Sequence, residues 1–364
     1  MFMHTTGKSP KLPGGLGLAS LLSVITMGSA DAAIAINADG KVKIFGDVRV
    51  RLESDQQTTS SDIDRKRDRT RYRVRLGASY RPNDTWSGKF RLATTSTQNS
   101  PHVTFSTVGK TADLSIGVDT ALLAYSGLEN LTLVAGKTPL NFWQQTEVFW
   151  DADIHPEAFA AVYQRGPVTL NAAYAMLQDG GWDKNSDGTD RAGDITGAVA
   201  QVVYSGSAGS LKYTLAAGGL KLDDPDNTLS LNSDSNWSVS GQLKSGPWLA
   251  GVDYLNGSAS DENTAYVIQG RYKINSVYGV RAYYYHVEAN ATPGDGLFTQ
   301  DNFPSEKSAA DNFEGFRLQL DAKVANNTSM DLRYYSTEAI SKENNYWGQA
   351  KSHDRLQLNI NVKF

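Results

Sequence analysis

The chain contains no cysteine. That absence removes a disulfide framework, a thiol nucleophile and any sulfur-ligated zinc site, and it suits a chain that crosses an oxidising compartment. Histidine is nearly as scarce, with five in 364 residues. Beyond His4 these are His102, His155, His286 and His353, and none stands in a recognisable nucleophile motif, which leaves little for histidine-based hydrolysis. Long apolar runs are also missing, so no mature transmembrane helix is expected. The net charge is -4, a balance that argues against nucleic acid as a partner. What remains is 40% hydrophobic and 20% charged, the profile of an ordinary soluble protein. One membrane class hides behind such numbers, because a transmembrane barrel interleaves lipid-facing apolar residues with lumen-facing polar ones.

The amino terminus reads as a targeting segment. Lys8 and Lys11 form a basic head, residues 16–27 (LGLASLLSVITM) form an apolar stretch too short to span a bilayer, and Ala30-Asp31-Ala32 carries small residues where a signal peptidase reads them. A secretory signal peptide over 1–32 is expected, with Ala33-Ile34-Ala35 as the competing site and one barrel domain over 33–364. Cleavage makes the net charge one unit more negative.

Periodicity then decides the fold class. In KVKIFGDVRVRLE (41–53), Val42, Ile44, Val48, Val50 and Leu52 share one face, while Lys43, Asp47, Arg49 and Arg51 share the other. In 69–81, Tyr72, Val74, Leu76, Ala78 and Tyr80 alternate with Arg71, Arg73, Arg75, Gly77 and Ser79. Tyr72 and Tyr80 are separated by roughly 20 Å along a tilted strand, about the height of an apolar band between aromatic girdles. Similar segments recur down the chain and total about sixteen, an even number as such barrels require. Tight turns such as Pro82-Asn83-Asp84, Gly166-Pro167 and Ser245-Gly246-Pro247 alternate with longer polar connections over 54–68, 97–112, 138–157, 179–194, 223–235, 290–313 and 339–352. The expectation is an all-β, transmembrane antiparallel β-barrel with short periplasmic turns and long extracellular loops. One register is ambiguous: Tyr283, Tyr284 and Tyr285 are consecutive, and a bulge is expected near Arg281 to His286. In the last segment (355–364), Leu356, Leu358, Ile360, Val362 and the terminal Phe364 share one face.

KIFGDVRVRLE with RTRYRVRLGA, AGKTPLNFWQQTEVFWDADIHPEAFA and the ending LNINVKF resemble bacterial outer-membrane porins, most closely the proteobacterial family labelled "putative porin". The resemblance implies a water-filled channel in the Gram-negative outer membrane, a homotrimer, and small hydrophilic solutes as cargo. Outer-membrane lipid, lipopolysaccharide, periplasmic chaperones and the barrel-assembly machinery are its implied partners. A C-terminal aromatic such as Phe364 resembles the signal that this machinery reads.

Selectivity is expected from the inward faces. By strand parity Arg49, Arg51, Arg71, Arg73, Arg75, Lys89, Arg91, Arg317, Arg333 and Arg355 face the lumen, with Lys323 beside them, and barrel closure joins them into one basic wall. The connection over 138–157 carries Phe142, Trp143, Phe149 and Trp150, apolar bulk unsuited to water. It is expected to fold into the lumen and to set Glu147, Asp151, Asp153 and Glu157 against the arginines, giving a transverse field and a weak anion preference. The alternative is that the arginines pair with Asp47, Glu53 and Asp321 inside a narrow or plugged barrel, as in an adhesin or structural barrel.

One loop reproduces part of a calcium site. Asp183, Asn185 and Asp187 precede Gly188, Thr189 can offer a carbonyl, and Asp194 stands at the twelfth position. Asp replaces the bidentate Glu there, Arg191 takes the ninth position, and no flanking helices are expected, so an Asp/Asn/Gly-rich turn is the simpler account. No other cofactor is expected, and no enzyme.

Overall fold

The computed structural model describes residues 33–37, 39–95, 101–105, 115–140, 142–180, 184, 193–227, 231–293, 311–341 and 350–364. The expected signal peptide lies outside the described residues, as do Asp183, Asn185, Asp187 and Thr189 of the calcium loop. Among the described residues, sixteen antiparallel strands form the wall. In chain order they are β1 (Val42–Thr59), β2 (Asp64–Tyr80), β3 (Trp86–Thr94), β4 (Ile116–Leu128), β5 (Leu131–Lys137), β6 (Glu157–Arg165), β7 (Val168–Gln178) and β8 (Ile195–Ala208). The second half comprises β9 (Leu211–Asp223), β10 (Ser235–Ser245), β11 (Trp248–Gly257), β12 (Thr264–Lys273), β13 (Tyr278–Val287), β14 (Phe313–Ala325), β15 (Thr328–Glu338) and β16 (Ala350–Lys363). Each strand pairs with the next, and β16 pairs with β1, which closes the cylinder. Short pairings of Ile34–Ala35 with β1 and of Val103–Thr104 with β2 add to its edges.

The alternation dictated by sequence holds in three dimensions. Along β2, Val74 and Leu76 are exposed toward lipid, whereas Arg71, Arg73 and Gly77 are buried within. Aromatic side chains gather at two levels of the outer face, where amphipathic rings meet the lipid headgroups. Trp86 packs on Tyr125 and Trp248 on Tyr272 at the turn end; Trp237 packs on Tyr254 and Phe316 on Tyr334 at the loop end. Two expectations fail. The segment 54–68, with little apolar alternation, is not a loop: β1 and β2 run through it as a long hairpin in which Asp55 pairs with Arg67 at 3.0 Å and Glu53 with Arg69. Cross-strand charge pairs sustain strands that apolar periodicity does not announce. The tyrosine triplet needs no bulge either. Tyr283 and Tyr285 point inward and Tyr284 outward, with continuous register on both sides.

The C-terminal residue completes the closure. Gly46 N donates to Phe364 O at 2.8 Å, Phe364 N donates to Gly46 O at 3.0 Å, and the Phe364 ring occupies the space that a Cβ on Gly46 would fill. Glycine there lets the ring lie flat on the wall. Phe364→Ala should lower barrel stability by roughly 1–2 kcal/mol, below the usual cost of a core phenylalanine. A fall in the urea midpoint of the heat-modifiable gel band measures it, and an unchanged midpoint would discount the contact.

Candidate constriction site

The site is set by where β5 stops. β5 has seven residues, and its last pairs are Lys137 with Ala121 of β4 and Lys137 with Glu157 of β6. Above that level the chain leaves the wall and turns inward. Gly136 makes the departure: its φ is +117, and a Cβ there would sit 2.2 Å from the Ala121 carbonyl oxygen.

The inward connection behaves as its aromatics require. Phe142, Phe149 and Trp150 are buried, together with Leu140, Val148 and Ile154, against Val199, Leu220, Leu222, Leu255, Val267, Tyr283 and Tyr285 of the inner wall. Inward-facing aliphatics of β8 to β13 thus form a dry ledge inside the barrel. Polar side chains of the same wall stitch the loop down. Gln201 of β8 accepts from Trp143 N and donates Nε2–H to Trp143 O, both at 2.8 Å. Asp253 of β11 accepts from Gln145 N at 3.0 Å, Thr146 N at 2.7 Å and the Thr146 hydroxyl at 2.8 Å. Gln242 and Gln269 donate to Gln145 Oε1 at 2.7 and 2.5 Å. Sequence reasoning passed over these four anchors, since a lone Asp or Gln on an inward position looks like ordinary lumen lining.

Across the lumen stands the arginine wall. In register, Arg49 faces Arg73 and Arg51 faces Arg71 between β1 and β2, while Asn361 and Asn359 of β16 face Arg49 and Arg51. The Asn361 and Asn359 side-chain oxygens accept from Arg49 Nε at 2.5 Å and Arg51 Nε at 2.7 Å. Asp47 pairs with Arg73 and Arg75 at 3.0 and 2.8 Å, Asp55 with Arg355 at 2.5 Å, Asp331 with Arg333 at 2.5 Å, and Asp119 with Arg91. Arg317 lies 3.9 Å over the Tyr283 ring, a cation–π contact. His102 packs into this wall, its Nε2 lying 3.2 Å from Arg49 Nη1 and its carbonyl accepting from Arg71.

The wall therefore differs from a row of bare charges. Arg51, Arg71, Arg73, Arg91, Arg317 and Arg355 are buried, while Arg49, Arg75, Lys89 and Arg333 remain partly open. The carboxylates of β1, β4 and β15 and the amides of β16 cover the rest. Asp321 pairs with Arg281 at 2.6 Å instead, and Lys323 is exposed beyond the lumen row, where the register shifts.

The four loop acids divide. Asp153 faces the wall, 3.8 Å from Arg73 and 3.7 Å from Arg75. Glu147 is half-buried, next to the buried run Val148–Trp150. Asp151 is buried and its Oδ1 accepts from Asp153 N at 2.8 Å, which shapes the return turn. Glu157 is misassigned by sequence: it opens β6, exposed, on the outward face that carries Phe159. The loop has already rejoined the wall there, through Thr138 N donating to Pro156 O.

Of the calcium loop, Asp194 is described, and its Oδ1 accepts from Gly180 N at 2.9 Å. Among the described residues no cluster of three metal-ligating side chains occurs. His155 and His353 each meet an aspartate, Asp119 at 3.2 Å and Asp55 at 3.1 Å, and among the described residues neither ring has a hydrogen bond to a serine hydroxyl.

Residues 29–177 match a family described as "Putative porin". No curated protein matches the chain by sequence. Among solved structures it resembles OprB of Pseudomonas putida at high pH (TM-score 0.60, 10% identity, 90% of this chain and 95% of that one). It also resembles OmpF of Salmonella typhi in complex with daunomycin (TM-score 0.57, 12% identity, 91% and 100%) and a loop-deleted OmpT of Vibrio cholerae (TM-score 0.54, 13% identity, 92% and 100%).

Proposed function

We propose that this chain, a porin-type barrel of the Gram-negative outer membrane, passes small hydrophilic solutes and ions by passive diffusion through an eyelet between its inward loop and its arginine wall. Family match and fold point to a channel without catalysis. The observation that carries the reading is the span of the loop: one side hydrogen-bonded to Asp253 and Gln201, the other presenting Asp153 to Arg73 and Arg75. Opposed charges across a narrowing orient dipolar solutes and rank ions by sign.

A weak anion preference follows from the partly open cations Arg49 and Lys89, with Arg75 and Arg333 already paired to Asp47 and Asp331. In a planar bilayer under a potassium chloride gradient, the reversal potential should carry the anionic sign, and clear cation preference would refute this. Arg49→Gln with Lys89→Gln should lower the anion-to-cation permeability ratio by about twofold, because partly open charges act through water while those paired with a carboxylate, as Arg75 is with Asp47, are already compensated. Burial of six wall cations also supports a second reading, a narrow structural barrel. Folded protein that gives no stable current would favour it.

The same proposal takes residues 1–32 as a cleaved signal, Phe364 as the cue for the barrel-assembly machinery after chaperone transit, a homotrimer as the assembly, and outer-membrane lipid with lipopolysaccharide as the surroundings. Calcium binding by the connection over 179–194 is its least supported part, and calorimetry without heat of binding would remove it.

A further inference from the structure

We propose that β2 is an anion track: a continuous column of arginines that starts on the protruding hairpin and hands small multiply charged oxyanions, such as di- and tricarboxylates and phosphate, down to the constriction. The proposal rests on the diffusion-channel reading and names its solute class. Every inward position of β2 from 65 to 75 is arginine: Arg65, Arg67, Arg69, Arg71, Arg73 and Arg75. With a rise of about 3.3 Å per residue, successive rungs stand about 7 Å apart and the column runs roughly 33 Å along the tilted strand, or about 25 Å along the barrel axis. Arg65, Arg67 and Arg69 precede Tyr72, the outward aromatic at the loop end of β2, and so stand above that girdle, on the part of the hairpin sustained by charge pairs.

Exposure changes along the column as a funnel would require. The Arg67 side chain is 58% exposed and that of Arg69 19%; Arg73 falls to 6%, and Arg75 opens again to 17% beside Asp153. Stability does not favour such a column. Like charges opposite one another in a sheet are destabilising, and the register sets Arg49 against Arg73 and Arg51 against Arg71. Three acids of β1 offset part of the repulsion. Asp47 serves both Arg73 and Arg75, Glu53 serves Arg69, and Asp55 serves Arg67 as well as Arg355.

Those pairs fix Arg67, Arg69, Arg73 and Arg75 without exhausting them. Arg67 spends Nε and Nη2 on Asp55 Oδ2, at 3.3 and 3.0 Å, and its fork has further N–H groups for a carboxylate or phosphate oxygen. A monovalent ion touches one rung at a time. Along the outer rungs Arg65, Arg67 and Arg69 a di- or trianion reaches two before releasing the first, and Arg75 reopens beyond the buried Arg71 and Arg73, so the spacing at the entrance favours multivalent oxyanions over chloride.

The test uses the mature porin in a bilayer free of lipopolysaccharide at about 0.1 M potassium chloride, with citrate and inorganic phosphate as probes of chloride current. Citrate from the loop side should halve the current at a concentration at least about fivefold below that needed from the turn side. Arg65→Gln with Arg67→Gln should bring that ratio close to one. At about 1 M salt, where the screening length is ~3 Å, the asymmetry should vanish. Equal block from both sides, or a ratio unmoved by the double substitution, overturns the track. Loss of the loop-side block when lipopolysaccharide is added would assign the upper rungs to lipid phosphates and overturns it as well. Folded protein without chloride current would instead sink the diffusion reading.

Discussion

Asp253→Ala is expected to raise the single-channel current and to make the open level fluctuate. Its carboxylate receives two backbone N–H groups and one hydroxyl from the tip of the inward loop. Hydrogen bonds to a charged acceptor contribute about 1.5–3 kcal/mol each, so their joint loss frees the tip by about 3 kcal/mol or more. The loop should nevertheless stay inside the barrel, because Phe142, Phe149 and Trp150 keep their apolar ledge. Excursions of a tethered tip, rather than expulsion, then produce the noise. Asp253→Asn keeps one strong acceptor oxygen and should fall between the two. An alanine variant with the original current and a quiet open level would show that the packing alone fixes the eyelet.

Gly136→Val should leave little folded barrel. The backbone there is held at φ +117, and any Cβ would lie 2.2 Å from Ala121 O and 3.1 Å from Leu122 Cα. Neither contact is with a movable side-chain end. Strain of a non-glycine residue in this region is about 1–3 kcal/mol before the clash is counted, so a loss above about 3 kcal/mol is expected. Alanine should suffer nearly as much, since the first carbon does the damage. The urea midpoint of the heat-modifiable band reports both variants, and a Gly136→Ala midpoint equal to the parent would contradict the geometry.

Strand parity was legible in the sequence because membrane and lumen impose opposite demands on neighbouring side chains: Tyr72, Val74 and Leu76 against Arg71, Arg73 and Arg75 needed only a period of two. The inward loop was legible for a related reason, as Phe142, Phe149 and Trp150 cannot remain in water cheaply. Three features escaped. The long β1–β2 hairpin is built from polar cross-strand partners, which carry no apolar period. The anchors Gln201, Gln242, Asp253 and Gln269 are scattered over four strands, and only the closed barrel brings them to one loop. The burial of Arg51 and Arg355 depends on Asn359, Gln357, Glu53 and Asp55, residues some three hundred positions apart that meet where the ends of the chain join.

That junction has a consequence for how the cylinder comes into being. Until β16 arrives, Arg49 and Arg51 lack the amide oxygens of Asn361 and Asn359, and Asp55 lacks Arg355. Before closure, Arg49 and Arg51 would stand short of two acceptors on one border of the sheet and Arg355 short of its carboxylate on the other. The last strand thus supplies what the first one needs, and the two ends of the chain are matched to each other by polar groups as well as by the backbone ladder.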